Sequence, residues 1–393
     1  MSWKKLLGSV KSSTVIITWI AAAFAVGFAS GFFTAATRVE ETSQAFQLPR
    51  EAMDLLAQHY IDPLPDPMAM QRGMTRGLLD SLGDPYTTYL DPAAHELENQ
   101  SLSGSYGGIG AHLTSTKNGW ALIPFEQGPA LEAGLLEGDL LLQVDNFEIE
   151  QTTTEAETTA ALRGEIGTSV RLTVLRDNRD VIEFQIIRQS IPLPSVSSYL
   201  YPDDPHIGIL RISVFGTPTA GEVRNNLKEL ERQDASAIIL DLRGNPGGLL
   251  DSALQVADIF LSDGIIVTEI SAEGKRTDRN ALAHQEDFTL PVVVLIDGAT
   301  ASAAEVLAAA LAENDRAIII GHPTFGKGSV QTIYDLSDGS SLHITTSRWL
   351  TPKGHTLDGQ ALAPDQIVEP EVSGDAALEA AVGWISTNVE ELP

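Results

Sequence analysis

One stretch of this 393-residue sequence, residues 291–331, restricts the fold more than any other. It opens with an unbroken apolar run at 292–296, rich in β-branched residues, which predicts a buried strand. Turn-forming residues follow, and residues 302–314 then place apolar side chains at helical spacing. A second apolar strand at 317–320 leads into a glycine-rich turn that carries Lys327. The segment therefore predicts a strand, a turn, a helix and a second strand in this order.

Two side chains in this stretch could carry chemistry. Ser302 lies where the turn becomes a helix, and the first N–H groups of a helix lack partners within it and can stabilise an oxyanion. A serine needs a base to become a nucleophile, and the sequence contains no G-x-S-x-G elbow. Lys327 could be that base if burial lowers its pKa, and no carboxylate lies near it along the chain. On a predicted strand, the amide oxygen of Gln331 could then orient the lysine amine.

Other interpretations of these residues remain open at this point. Ser302 and Glu305 form a capping-box pattern, and taken alone that pattern favours a helix cap over a nucleophile. Taken alone, Lys327 is typical of a surface turn.

A phosphate-binding loop is a further alternative. Residues 321–328 nearly match G-x-x-x-x-G-K-[ST], and residues 237–241 look like a Walker B strand. However, Gly328 stands where a P-loop needs the hydroxyl that holds Mg²⁺. The following segment also predicts a strand, whereas a P-loop needs a helix N-terminus there.

The segment resembles the C-terminal-processing, or tail-specific, proteases, which use a serine–lysine dyad. The motif of that family is S-A-x-E, about two dozen residues, and then T-F-G-K-G-x-x-Q; the matching residues here are Ser302, Glu305, Thr324, Phe325, Gly326, Lys327, Gly328 and Gln331. The resemblance implies that Ser302 is the nucleophile, Lys327 the general base and Gln331 its orienter.

A second glycine-rich turn resembles the same family. Residues 236–260 predict a buried strand, a turn and a helix, a β-α unit expected in a parallel sheet. The turn matches the family's D-L-R-x-N-x-G-G, and the resemblance implies that Gly248 donates to the oxyanion beside the N–H of Ala303, with Gly247 as the alternative donor. Asp241 and Arg243 are interpreted as an ion pair or loop clamp. Residues 84–90 resemble a family stretch interpreted as structural or as a partner surface, and no chemistry is assigned to Tyr86 or Tyr89.

Residues 101–190 resemble a PDZ domain. The run at 105–113 resembles a carboxylate-binding loop, in which glycines let backbone N–H groups converge on a chain terminus while the next strand pairs with the peptide. Residues 128–145 and 162–177 match two further PDZ motifs. The resemblance implies that the domain captures substrate C-termini through Gly107, Gly108, Ile109 and Gly110.

The N-terminal segment predicts a membrane anchor. Residues 14–37 contain no charged residue. This run is long enough to cross a bilayer, which takes roughly 20 residues. Basic residues precede the run and acids follow it, so the basic end is expected in the cytoplasm and the rest in the periplasm or another exported compartment of the bacterial envelope. A cleaved signal peptide is the alternative.

Composition excludes several function classes. A net charge of −28 argues against nucleic acid as a partner. The absence of cysteine excludes thiolate metal sites and disulfides, and neither a metal nor a cofactor is expected.

The resemblance implies an α/β (mixed α+β) protein with a ClpP/crotonase-like catalytic core and an inserted PDZ domain. The predicted regions are a signal anchor (1–37), an N-terminal helical region (38–100), the PDZ domain (101–190), the serine–lysine peptidase core (191–372) and a C-terminal helix or tail (373–393). The implied function is a serine endopeptidase that acts through an acyl-enzyme on exported proteins bound by their C-termini. Some family members need a tetratricopeptide-type lipoprotein adaptor, and a homo-oligomer is left open. The alternative function is a catalytically silent PDZ scaffold.

Overall fold

The computed structural model describes residues 44–282, 288–369 and 374–389, and the chain divides into two compact units, residues 1–84 and 85–393. In the first unit the described helices are α1 (Gln47–His59) and α2 (Pro67–Asp80), which lie within the predicted helical region at 38–100. Asp66 caps α2, since its carboxylate accepts from the N–H groups of Met68 at 3.0 Å and Ala69 at 3.3 Å. The predicted anchor at 1–37 lies outside the described residues. No helix within the described ranges has the length and hydropathy that a bilayer span requires.

The second unit begins with a short strand, a helix and a small antiparallel domain. These elements are β1 (Thr88–Leu90), α3 (Pro92–Ser103), β2 (Ser105–Gly108), β3 (Ala111–Thr116), β4 (Gly119–Pro124), α4 (Pro129–Glu132), β5 (Asp139–Val144), β6 (Phe147–Glu148), α5 (Glu155–Leu162), β7 (Ser169–Arg176), β8 (Asp180–Ile187) and β9 (Gln189–Pro192). The main sheet has the order β3-β4-β5-β7-β8, with β6 on β5. Its inward face carries Leu122, Leu141, Leu172 and Val174, all at most 1% exposed. β2 and β9 pair with each other, so the chain enters and leaves this domain side by side.

The remaining elements form the larger core. They are β10 (Val196–Tyr201), β11 (Asp204–Ile212), α6 (Thr219–Arg232), β12 (Ala237–Asp241), α7 (Leu250–Phe260), β13 (Ile265–Ser271), β14 (Arg276–Asn280), β15 (Val292–Ile296), α8 (Ala303–Glu313), β16 (Ala317–Gly321), β17 (Ser329–Asp335), β18 (Ser341–Leu350), β19 (Gln366–Ile367) and α9 (Ala376–Asn388). One sheet has the order β10-β11-β12-β15-β16-β19 and is parallel except for its edge strand β10. The predicted parallel β-α unit is therefore confirmed.

Two apolar layers cover this parallel sheet. Ile238, Leu240 and Val294 pack into a cluster with apolar side chains of α6, α7 and α8. Alternate residues such as Ile239 and Val293 pack on the other face against α9. Both faces are buried, which is why β12 and β15 are continuous apolar runs. Each fully buried Val, Ile or Leu side chain contributes about 1.5–3 kcal/mol to this layered core.

A second, antiparallel sheet lies within the same unit, in the order β1-β18-β13-β14 with β17 also on β18. Its strand β1 pairs Thr88 with His343 and Leu90 with Ser341. Residues 85–100, assigned by sequence to the helical region 38–100, therefore supply a core strand and the helix α3. A three-residue strand carries no periodic signal of its own, so this pairing could not be predicted locally.

Candidate active site

Adjacent parallel strands bring two loops to one edge of the sheet. β12 and β15 are neighbours, so the turns that follow them lie side by side. The Thr300 hydroxyl donates to the carbonyl of Leu242 at 2.9 Å, and the Ala301 N–H donates to the carbonyl of Asn245 at 3.0 Å. The turn before Ser302 is thus fixed to the glycine-rich loop at 242–249.

Ser302 occupies a sharp strand-to-helix turn. Its φ of +54° lies in the left-handed region, which costs a residue other than glycine of order 1–3 kcal/mol. The preceding turn is held by the Asp297 carboxylate, which accepts from the N–H groups of Ala299 and Thr300 at 3.0 Å each. Ser302 is the N-cap of α8 and lines a cavity of about 540 Å³.

Lys327 lies in the turn before β17, and its amine is oriented by an amide. Lys327 Nζ donates to Gln331 Oε1 at 2.7 Å, and Gln331 Nε2 donates to the carbonyl of Tyr86 at 2.8 Å. The Tyr86 ring centroid lies 5.5 Å from Nζ. On the other side, the Trp349 indole N–H donates to the carbonyl of Lys327 at 3.1 Å. Tyr86 was not expected at the site; its only sequence signal was the family-like stretch around it.

Glu305 joins the serine turn to the lysine turn. Its side chain is 0% exposed, and Oε2 accepts from the N–H of Ser302 at 2.8 Å and from the N–H of Lys327 at 3.0 Å. Oε1 accepts from the N–H of Gly326 at 2.8 Å and from the Thr324 hydroxyl at 2.5 Å. The capping-box interaction of Glu305 with Ser302 is therefore present, and the same carboxylate also positions Lys327.

The hydrogen bonds around Thr324 show that the Glu305 carboxylate acts as an acceptor toward the Thr324 hydroxyl. The Thr324 hydroxyl accepts from the N–H of Leu362 at 2.8 Å, so its own proton is directed at the Glu305 carboxylate. All four partners of Glu305 are then donors, which suits a carboxylate acting only as an acceptor. Although no carboxylate lies near Lys327 along the chain, the fold brings this one against its backbone.

The glycine-rich loop faces the serine turn at close range. A Cβ on Gly247 would lie 2.9 Å from Ser302 Cβ, and one on Gly248 would lie 2.3 Å from the carbonyl oxygen of Phe215. Both glycines have φ above +100°, so glycine is needed for conformation as well as space. The Gly247 N–H already donates to Asn245 Oδ1 at 2.8 Å, which favours Gly248 over Gly247 as an oxyanion donor.

The cavity brings together all five residues predicted for the chemistry: Ser302, Lys327, Gln331, Gly248 and Ala303. Its walls also include apolar side chains, among them Leu249, Val306, Val330 and Trp349. An extended peptide with apolar side chains fits such a lining.

The P-loop alternative is wrong. The turn at 321–328 is followed by strand β17 and not by a helix. The N–H groups of Gly326 and Lys327 point at the buried Glu305 carboxylate. Backbone donors that already hold a carboxylate cannot cradle a phosphate.

The glycine-rich residues 107–110 of the smaller domain do not all lie in the same place. Gly108, Ile109 and Gly110 line a groove between β3 and α5. Gly107 lies instead against the loop after α5, where its carbonyl accepts from the N–H of Gly164 at 3.1 Å. Three of the four residues predicted to bind peptide are thus in the groove, and Gly107 fixes one end of it.

Asp241 and Arg243 form the ion pair expected of them, with Arg243 Nε 2.9 Å from Asp241 Oδ1. Arg243 also reaches Asp375, the N-cap of α9, at 2.6 Å. The loop that carries Gly248 is therefore tied to the C-terminal helix.

Comparison with known proteins shows that the chain is similar to carboxyl-terminal processing proteases. Peptidase family S41 matches residues 206–368, and a PDZ domain matches residues 126–176. The carboxy-terminal processing protease CtpA of Bacillus subtilis is 35% identical over 74% of this chain and 62% of its own length. The carboxyl-terminal-processing protease of Synechocystis is 36% identical over 79% of this chain and 76% of its own length. Among solved structures, the photosystem II D1 C-terminal processing protease is 29% identical, with a TM-score of 0.46 over 82% of this chain and 87% of that one.

Proposed function

This chain belongs to peptidase family S41, the carboxyl-terminal processing proteases, and from that premise we propose that it is a serine endopeptidase that recognises protein C-termini through its PDZ domain and cleaves by a Ser302–Lys327 dyad. The observation that carries the proposal is the shared cavity, in which Ser302 lies with a lysine whose amine is hydrogen-bonded to Gln331 at 2.7 Å.

The proposed reaction begins with attack of Ser302 Oγ on the substrate carbonyl, while Lys327 Nζ takes the hydroxyl proton. The negative charge that develops on the carbonyl oxygen is stabilised by the N–H groups of Gly248 and Ala303. Lys327 then gives its proton to the leaving amine, which leaves an acyl group on Ser302. In the second half Lys327 takes a proton from water as the water attacks the ester, and it returns that proton to Ser302 Oγ as the ester bond breaks and the carboxyl product leaves.

Gln331 and Tyr86 support this proton transfer by position. The Tyr86 carbonyl holds the amide of Gln331, and the amide oxygen of Gln331 holds the lysine amine. Holding the amine in one position reduces the entropy lost on reaching the transition state.

The proposal includes a location. The uncharged run at 14–37 would anchor the chain in the inner membrane, with the PDZ domain and the peptidase core in the periplasm or an equivalent exported compartment. The substrates would be exported proteins. An adaptor lipoprotein or a second copy of the chain would regulate the peptidase activity.

The first test is cleavage of an unfolded protein such as casein by the full-length chain without metal or nucleotide. We expect Ser302→Ala and Lys327→Ala each to lower the rate by on the order of 10⁴-fold or more, since dyad members act as a unit. Ser262→Ala and Lys275→Ala remove the same groups at exposed positions and should leave the rate unchanged.

Cleavage that survives Ser302→Ala in a preparation free of other proteases would contradict the nucleophile. If the wild type does not cleave, labelling of Ser302 by a serine-reactive phosphonate separates a latent enzyme, which is labelled, from a silent scaffold, which is not.

A further inference from the structure

The cavity that holds Ser302 extends past the dyad to a wall formed by α3 and β18. Glu98, Ser101 and Leu102 of α3 line this wall at helical spacing, so one face of the helix borders the cavity. His343 of β18 lines it as well. A substrate that fills the cavity therefore contacts this wall, although the proposed dyad chemistry does not use it.

The wall lies a short distance along β17 from the amide that holds Lys327. Residues 331 and 333 both line the cavity, and they lie on the same side of β17, about 6.8 Å apart. Ile333 pairs directly with His343 of the neighbouring strand. An extended peptide advances about 3.4 Å per residue, so the side chain that meets this wall belongs to a residue about two to three positions from the cleaved bond.

Glu98 gives the wall its charge. Of the described residues that line the cavity, it is the one with a carboxylate, and its side chain is 28% exposed. Glu98 Oε2 lies 2.9 Å from His343 Nε2 and 4.0 Å from His95 Nδ1. None of these three atoms makes a well-aligned hydrogen bond with a described residue.

The charge of Glu98 is therefore not balanced within the fold in the way that the charge of Glu305 is. The Glu305 carboxylate accepts four hydrogen bonds, whereas the ionic partners of Glu98 are imidazoles, which carry no charge when they are neutral. A carboxylate that lacks donors at a cavity wall attracts a cation from the ligand.

We propose that Glu98 is a specificity-determining residue, which selects substrates with lysine or arginine about two to three residues from the cleaved bond. The proposal rests on the proposed function, because the cavity must receive the substrate beside Ser302. The charged head of the basic side chain pairs with the Glu98 carboxylate. Its methylene stem lies along Leu102 and Ile333, which line the same part of the cavity.

Other acidic groups near this wall do not fill this role. The Glu96 carboxylate accepts from the Gln100 amide at 2.8 Å and lines a neighbouring cleft. Asp335 lies 3.0 Å from His95 Nε2 and lines the same cleft, with its side chain 82% exposed. Neither carboxylate lines the cavity that holds Ser302, so selection by charge at this wall depends on Glu98.

The test uses the full-length chain and internally quenched peptides built on one site that the wild type cuts in casein. Lysine, glutamine or glutamate replaces one residue at a time, at the three positions on each side of the cleaved bond, and mass spectrometry identifies the bond that is cut. At the second or third position on one side, we expect kcat/KM to fall from lysine to glutamine to glutamate, by about three- to tenfold per step at low salt. Glu98→Gln should remove this order, and Glu98→Lys should reverse it.

A charge-matched control is needed, because a chain with a net charge of −28 attracts any cationic peptide. Glu96→Gln removes the same charge two residues away on α3 and should keep the wild-type order. Circular dichroism and labelling of Ser302 by the phosphonate show whether each variant is folded.

Two results would overturn the proposal: the wild-type order in a folded Glu98→Gln protein, or equal rates for the three peptides at every position with the wild type. In both cases the cleavage itself shows that the peptidase proposal stands separately. If the wild type does not cut casein, selection by Glu98 fails as well, and labelling of Ser302 then decides whether the dyad proposal stands.

Discussion

At the scale of single residues, Glu305 connects the proposed nucleophile, Ser302, to the proposed base, Lys327. One buried carboxylate accepts four hydrogen bonds, from the turn of Ser302 and from the turn of Thr324, Gly326 and Lys327. The turn of Ser302 precedes α8, and the turn of Lys327 follows β16. The position of Lys327 relative to Ser302 therefore depends on this carboxylate. A buried carboxylate is tolerated at this position because each of its two oxygens accepts two hydrogen bonds.

We predict that Glu305→Gln impairs catalysis more than it impairs substrate binding. One oxygen of the carboxylate becomes an NH₂ group, which must face donors that previously gave hydrogen bonds to it. A buried, unsatisfied donor pair costs about 1–3 kcal/mol, and the lysine turn should shift away from Ser302. Measured with one peptide substrate, kcat should fall at least tenfold while KM and PDZ-peptide affinity change little.

The matched control for this prediction is Glu157→Gln, which alters the capping-box glutamate of α5. Glutamine also serves in a capping box, so activity should stay at the wild-type level. Equal kcat for Glu305→Gln and the wild type would contradict the positioning role. If Tm falls while kcat stays the same, Glu305 contributes to stability only.

At the scale of elements, the C-terminal helix α9 is held to the glycine-rich loop by one aspartate. The Asp375 carboxylate caps α9 by accepting from the N–H of Leu378 at 3.1 Å, and it also binds Arg243. Arg243 in turn pairs with Asp241 at the end of β12, next to the loop that presents Gly248. The sheet, the loop and the helix thus share a charge network of Asp241, Arg243 and Asp375, which Arg211 joins through its contact with Asp241 at 3.3 Å.

This network predicts an acid-sensitive contribution to stability. The hydrogen bond from the Arg243 guanidinium holds the pKa of Asp375 below its usual value. A carboxyl with a lowered folded-state pKa contributes stability that is present above its unfolded pKa of about 3.9 and is lost as the pH falls through the folded pKa. Between pH 6 and pH 2.5 the wild type should therefore lose more Tm than Asp375→Asn.

Asparagine also caps helices, so the variant isolates the charge from the cap. Thermal unfolding at several pH values, followed by circular dichroism, measures the difference. Parallel pH profiles for the two proteins would show that Asp375 does not contribute in this way.

At the scale of the whole molecule, the smaller domain is inserted into the second unit through a two-stranded ribbon. β2 and β9 pair Tyr106 with Ile191, and the N–H of Leu193 donates to the carbonyl of Gly104 at 2.8 Å. α3 precedes this ribbon directly and follows β1, which is a strand of the core sheet. The groove proposed to bind peptide and the proposed nucleophile Ser302 therefore lie in domains joined through adjacent strands.

The proposed anchor gives a prediction at the same scale. Expressed in a bacterium, the full-length chain should stay with the membrane after alkaline extraction, since a span of roughly 20 apolar residues inserts stably. A chain that starts at residue 40 and is expressed without a leader should appear in the soluble fraction, because it lacks the uncharged run. Release of the full-length chain at alkaline pH, or N-terminal sequencing that begins beyond residue 37, would contradict an uncleaved anchor.

The sequence by itself determined the features that depend on neighbours along the chain. The apolar runs of β12 and β15 predicted two buried strands, and the structure has both of them. The resemblance to the family's motifs predicted Ser302, Lys327 and Gln331 as site residues, and the structure places all three around one cavity. Periodicity, turn chemistry and motif spacing are local properties, so they can be recognised before the chain is folded.

Only the tertiary structure decided which distant groups complete the site. Gln331 is held by the carbonyl of Tyr86, 245 positions away in the sequence, and β1 joins the core sheet through β18. The second role of Glu305, at the turn of Lys327, was hidden because its partners are mostly backbone N–H groups, which no residue type reveals. Such contacts arise when separate segments pack together, and their geometry depends on the whole fold rather than on any local pattern.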